Sequence, residues 1–133
     1  MRIAVAVFLA IGILGCSGGI SGSYSASVEP LGEKKLNDPN YTLEAIQKRL
    51  AENPRKLHIE GPKFRTSEGG RTIWEGTWRK EGDKLILRAT KVQGIAVLEK
   101  LQQDYELKVL PDGRFAEDGA YGAYGLRIVF KKD

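Results

Sequence analysis

Residues 71 to 87, RTIWEGTWRKEGDKLIL, decide the fold. Thr72, Trp74, Gly76 and Trp78 occupy alternate positions, as do Leu85 and Leu87, and a period of two is that of a half-buried β-strand. Gly82-Asp83 between the two runs marks a tight reversal. The stretch is a hairpin with one apolar face, its second strand running on from Lys84 to Thr90.

The same alternation recurs on both sides. Upstream, Leu57 and Ile59 interleave with Lys56, His58 and Glu60, followed by a turn at Gly61-Pro62, Phe64, and a loop at Ser67 to Gly70. Downstream, Tyr105, Leu107 and Val109 alternate ahead of Pro111-Asp112-Gly113, a strong turn signal. Phe115, a glycine-rich loop from Asp118 to Gly125, and a last strand over Leu126 to Lys131 complete the sequence. The two hairpin regions match weakly at an offset of about fifty residues, as a duplication or any antiparallel meander would, and the meander is the simpler account. Residues 91–103 are ambiguous: Ile95, Leu98 and Leu101 have helical spacing, but Gly94 and Val97 limit them to a short helix at best.

One helix is expected, at about 43–52. Leu43, Ile46 and Leu50 form a stripe, Thr42 offers an N-cap, and Asn53-Pro54 ends the helix. The whole is mainly β with a minor α component. The expected architecture is an antiparallel meander curled into a small barrel or half-barrel, with this helix plugging or flanking it.

The N-terminus has a different character. Arg2 precedes an almost unbroken apolar run from Ile3 to Leu14, the layout of a secretory signal. The run is short of the ~20 residues needed to cross ~30 Å of hydrocarbon. It ends in Ile13-Leu14-Gly15-Cys16, which resembles the lipobox of bacterial lipoproteins. That resemblance implies cleavage before Cys16 and a diacylglycerol thioether on it. Cys16 is the only cysteine, so no intrachain disulfide exists. The expected organisation is a signal peptide over 1–15, a lipid anchor and Gly/Ser-rich tether over 16–40, either irregular throughout or with Ile20 and Tyr24 at the outer end of a first strand, and one β-rich domain over 41–133. Ser17 follows the cysteine, and the family rule then favours the outer membrane, periplasmic side, in a Gram-negative cell.

Residues 76 to 87 resemble the GTW-x-x-EGD-x-L-x-L hairpin of small lipocalin-like bacterial lipoproteins of uncharacterised function. The resemblance implies a lipocalin-like curled sheet with one end sealed by tryptophan, and it bears on fold more than on function. Gly76-Thr77-Trp78 also resembles the G-x-W triplet that true lipocalins carry on their first strand. Its place here, in the middle of the sequence, argues against a full eight-stranded lipocalin.

Candidate sites follow from these patterns. Trp74 and Trp78 share a face, and with Leu87 they would line an apolar ligand cavity of at least ~300 Å³; alternatively they are core, which small barrels usually fill with their own side chains. Tyr121 and Tyr124, flanked by glycines, are a candidate recognition loop for a glycan or protein, or else packed side chains beside a wide turn. His58 lies on the outer face, without the partners that a histidine-based metal site or a hydrolytic triad requires. The carboxylate pairs Glu117/Asp118 and Glu81/Asp83 fall in turns. No catalytic residue, metal ligand or cofactor is expected. The 21 basic and 17 acidic side chains, net +4, are intermixed and form no nucleic-acid stripe. The expected function is a non-enzymatic, lipid-anchored cell-envelope protein whose β-domain binds an apolar ligand or acts as an interaction module. Two alternatives stay open: an inhibitor or chaperone-like partner of another envelope protein, and a hydrolase using a carboxylate pair.

Overall fold

The computed structural model of the protein describes residues 19–117, 119 and 121–133. The expected signal peptide, Cys16 and the Asp118 member of one carboxylate pair lie outside the described residues. Among these residues nine strands follow in order: β1 (Gly22–Pro30), β2 (Arg55–Glu60), β3 (Lys63–Glu68), β4 (Arg71–Glu81), β5 (Lys84–Val92), β6 (Ile95–Ala96), β7 (Asp104–Val109), β8 (Phe115–Glu117) and β9 (Leu126–Lys132). All neighbours are antiparallel, and β4–β5 and β1–β9 pairing closes a ring of β1, β2, β3, β4, β5, β7, β8 and β9. The result is a closed eight-stranded barrel, with β6 a short flank on β5.

Closure corrects two expectations. The central position of the Gly76-Thr77-Trp78 triplet does not reduce the strand count, because four strands, β1 to β4, begin before it. One of these is β1, inside the stretch expected as tether. Tyr24, Ala26 and Val28 alternate there and face inward against Phe130 and Ile128 of β9. Ser23 and Ser25 face outward, towards His58 and Asp133. Glycine and serine dominate the local composition and mask a strand that has only one apolar face to bury. Beyond Pro30 the backbone stays bonded, with Leu31 N–H donating to the Gly125 carbonyl and Lys35 N–H to that of Ala123, each at 2.8 Å. Every barrel pairing is made within residues 22–132, so the barrel is complete without residues 1–18.

The helix spans Leu43–Glu52 as expected. Thr42 Oγ1 accepts from Ala45 N–H at 3.2 Å, and Ile46 is fully buried in the core. The helix packs on β1 and shares a crevice with Tyr121 and Ile128. It thus covers part of the barrel end at which β2, β4, β7 and β9 begin. The opposite end carries the turns at Gly61, Gly82 and Gly113.

Residues 93–103 contain no α-helix. Gln93 and Gly94 both take positive φ, 50° and 82°, and reverse β5 into β6. A single 3-10 turn, Glu99–Leu101, follows. Ile95, Leu98 and Leu101 are 73%, 63% and 62% exposed. Their helical spacing finds no apolar surface to lie on, so propensity alone does not extend the turn.

Candidate functional site

The two tryptophans face inward on β4 but serve opposite ends of the barrel. Trp78 pairs with Leu87 and Trp74 with Val92, and between them a bulge at Glu75/Gly76 absorbs one extra residue of β5. Gly76 sits in the bulge, buried beneath β5. Trp78 points to the turn end, where its indole N–H donates to the Gly61 carbonyl at 2.7 Å. It seals that end and does not line the cleft. Trp74 points to the helix end and stacks on Tyr105, with ring centroids 4.4 Å apart and 27° between planes.

Beside this stack, in the part of the barrel end that the helix leaves open, lies a cleft of about 230 Å³. Leu57, Leu87, Leu107 and Phe130 contribute its apolar lining, and Trp74 and Tyr105 form one wall. The expected lining is therefore met by Trp74 and Leu87 but not by Trp78. The space is an open cleft below the ~300 Å³ usual for ligand pockets. The core below it is solid: Leu85, Phe115 and Ile128 are buried.

Five charged residues border the cleft, Arg55, Lys56, Glu68, Glu106 and Glu117, and Arg55, Glu68 and Glu117 form one cluster. Arg55 shares the inward parity of Leu57 and Ile59; its register partner on β3 is Glu68. Glu117 is the partner of inward-facing Ile128. The guanidinium lies 3.4 Å from Glu117 and 3.7 Å from Glu68, and 5.7 Å from the centre of the Phe130 ring. Both ion pairs are longer than the 2.7–2.9 Å of a tight charge-assisted hydrogen bond. Glu117 belongs to a strand and not to the turn expected for it. No motif in the sequence marks Arg55, Glu68, Glu117 or Tyr105 as cleft residues, although parity points three of them inward. Arg55 stands two before Leu57, Tyr105 two before Leu107, and Glu117 two after Phe115.

The remaining candidates lie outside this cleft. Tyr124 stacks on Tyr41 at 4.5 Å and 15°, and Tyr121 lies 5.9 Å from the same ring. Arg49 covers Tyr41 at 5.3 Å. Tyr121 and Tyr124 thus pack on the 3-10 turn Pro39–Tyr41, whose tyrosine gives them an aromatic surface. Both loop tyrosines are half-buried. His58 is outward, as expected, with Nδ1 2.7 Å from Ser23 Oγ. Burial first, then the charges of Arg65 and Lys56, hold its imidazole below the usual range. Glu81 pairs with Arg79 at 2.9 Å on the surface. Among the described residues, no helix is long and apolar enough to cross a membrane.

Three carboxylate residues border one cleft, Glu68, Glu106 and Glu117. Arg55 contacts two of them, Glu117 at 3.4 Å and Glu68 at 3.7 Å. The arrangement suits holding a small molecule with an apolar body against aromatic faces.

No protein-family model matches the sequence. Neither a curated protein nor a solved structure matches it significantly.

Proposed function

We propose that the protein is a lipid-anchored cell-envelope binder, non-enzymatic, that takes the apolar part of a small molecule into the cleft beside Trp74 and Tyr105. The observation that carries this reading is the inward, half-open aromatic stack above an apolar floor. The apolar face also continues beyond the rim. Val92 is the cross-strand partner of both Trp74 and Ile95, so the three side chains project on one face. A ligand longer than the cleft has this shelf to lie on.

The lipid anchor rests on the Ile13-to-Cys16 motif. The first described residues support its geometry, since Gly19 lies beside Lys132 at the turn end of the barrel, away from the cleft. A lipid on Cys16 would hold the turn end to the bilayer and leave the mouth facing away from it.

The test uses the protein from residue 19 onward, which contains all nine strands and the helix described above. It is titrated with the uncharged apolar fluorophore N-phenyl-1-naphthylamine. Saturable binding that Trp74→Ala weakens and Trp78→Phe leaves unchanged supports the reading. Binding unaffected by Trp74→Ala counts against it. A second reading, an interaction module for another envelope protein, is favoured by the exposed Ile95, Leu98 and Leu101 beside the mouth. A protein that binds no apolar probe leaves that reading in place.

A further inference from the structure

We infer that the cleft selects a cation, an organic amine or guanidine carried on a short or flat apolar body. The inference rests on the cleft-binding reading and names the class of ligand. Of the charged residues that border the cleft, Arg55 and Lys56 are positive and Glu68, Glu106 and Glu117 are negative, so the site has a surplus of one negative charge. Aromatic rings of Trp74, Tyr105 and Phe130 border the same space, and ring faces attract cations through their quadrupoles. The protein already places one cation there: the Arg55 guanidinium sits 5.7 Å from the Phe130 ring centre with Glu68 and Glu117 beside it.

Arg55 occupies this position loosely. Its contacts to Glu117 and Glu68, at 3.4 and 3.7 Å, are long, and its side chain is 30% exposed. An incoming ammonium beside Glu117 would leave Arg55 its contact with Glu68 and with solvent. An incoming carboxylate would meet the like charges of Glu68, Glu106 and Glu117, and such juxtaposition disfavours binding. An apolar tail would leave over Val92 and Ile95. Arg55 therefore acts as an internal competitor for the site, not as its anion receptor. The two roles predict opposite effects when the guanidinium is removed.

The experiment titrates the protein from residue 19 onward with three matched probes, 4-phenylbutylamine, 4-phenylbutanol and 4-phenylbutyrate, by calorimetry at neutral pH. The amine is expected to bind about tenfold more tightly than the alcohol, with the acid weakest. Arg55→Ala is expected to raise amine affinity several-fold, and Glu117→Gln to remove most of the preference over the alcohol. Equal or tighter binding of the alcohol or the acid overturns the inference, as does an Arg55→Ala protein that loses affinity for the amine. Should Glu117→Gln fail to fold, the three probes on the unsubstituted protein decide the question. Binding of N-phenyl-1-naphthylamine without amine preference rejects only the charge selection. Failure of that probe and of all three others rejects the cleft reading itself.

Discussion

A methyl group on Gly76 would stand 1.8 Å from the carbonyl oxygen of Arg88 and 3.0 Å from the Phe64 ring. The first contact is with backbone of the neighbouring strand, which cannot rotate away. The bulge draws β5 over this position, and only a residue without Cβ allows the barrel to close there. Gly76→Ala is therefore expected to destabilise the protein by about 3 kcal/mol, at the upper end of the usual cost of overpacking. Gly82→Ala meets open space and suffers only from its φ of +60°, so its expected cost is about 1 kcal/mol. Urea denaturation of the two variants checks the order; equal losses would show that the bulge relaxes freely.

Trp74 and Trp78 should separate function from stability. Trp78→Phe removes the indole hydrogen bond to Gly61, with an expected loss of about 1 kcal/mol and no change in probe binding. Trp74→Ala removes the cleft wall and should abolish most of that binding. Fluorescence titration beside a thermal melt measures both quantities. If Trp78→Phe weakens binding as much as Trp74→Ala, the assignment of the tryptophans to opposite barrel ends is wrong.

The hairpin, the helix and the inward set Leu57, Ile59, Leu85, Leu87 and Leu107 are legible in the sequence because alternation and capping are local signals. Closure is not. It depends on β1, whose single apolar face is diluted by serine, and on pairing between β1 and β9 across almost the whole sequence. The charged part of the cleft is hidden for a related reason. Arg55 and Glu117 carry inward parity at strand ends, where a polar residue is ordinarily assigned to solvent. Only the barrel's curvature brings them to one guanidinium–carboxylate cluster with Glu68. Parity does place Trp78 on the inward face, yet it says nothing about which end of a barrel a residue closes.

The loop tyrosines make a third prediction. Tyr124 stacked on Tyr41 is a packing contact, and such aromatic pairs contribute about 0.5–1.5 kcal/mol beyond their buried area. Tyr124→Ser should therefore lower the thermal midpoint, by several degrees for a domain of this size. A free recognition loop would show no change. A double-mutant cycle with Tyr41→Ala reports the coupling, and a coupling of zero would show the stack to be incidental.

Acid sensitivity should trace in part to Glu29. The hydrogen bond from Arg127 first, and Arg114 after it, hold this carboxyl below the usual carboxylate range, against burial. Glu29 Oε1 accepts from Arg127 Nη2 at 2.7 Å, and Oε2 from Arg114 Nη1 at 2.9 Å. A carboxyl whose pKa is depressed by folding stabilises the native state above its unfolded value, near 4, and that contribution is lost as pH falls through the folded value. Glu29→Gln should thus be less stable than the unsubstituted protein at pH 7, and the gap should narrow below about pH 4. Denaturant midpoints measured from pH 7 to pH 2 test the sign. A gap that widens in acid would mean that the guanidiniums do not hold the ionised form.

The proposed anchor gives the last prediction. Every cysteine-dependent modification of this protein must fall on Cys16, its only cysteine. Cys16→Ser should abolish labelling by radioactive palmitate in bacteria and leave the apolar leader uncleaved by the lipoprotein-specific peptidase. The barrel itself, complete within residues 22–132, should keep its melting profile. Membrane fractions from the two strains provide the readout. Palmitate retained after Cys16→Ser would remove the lipobox reading without touching the cleft, since no cleft residue lies before Arg55. Loss of label with unchanged probe binding is the expected pattern, because the proposed attachment leaves the barrel at its turn end and the cleft opens at the other.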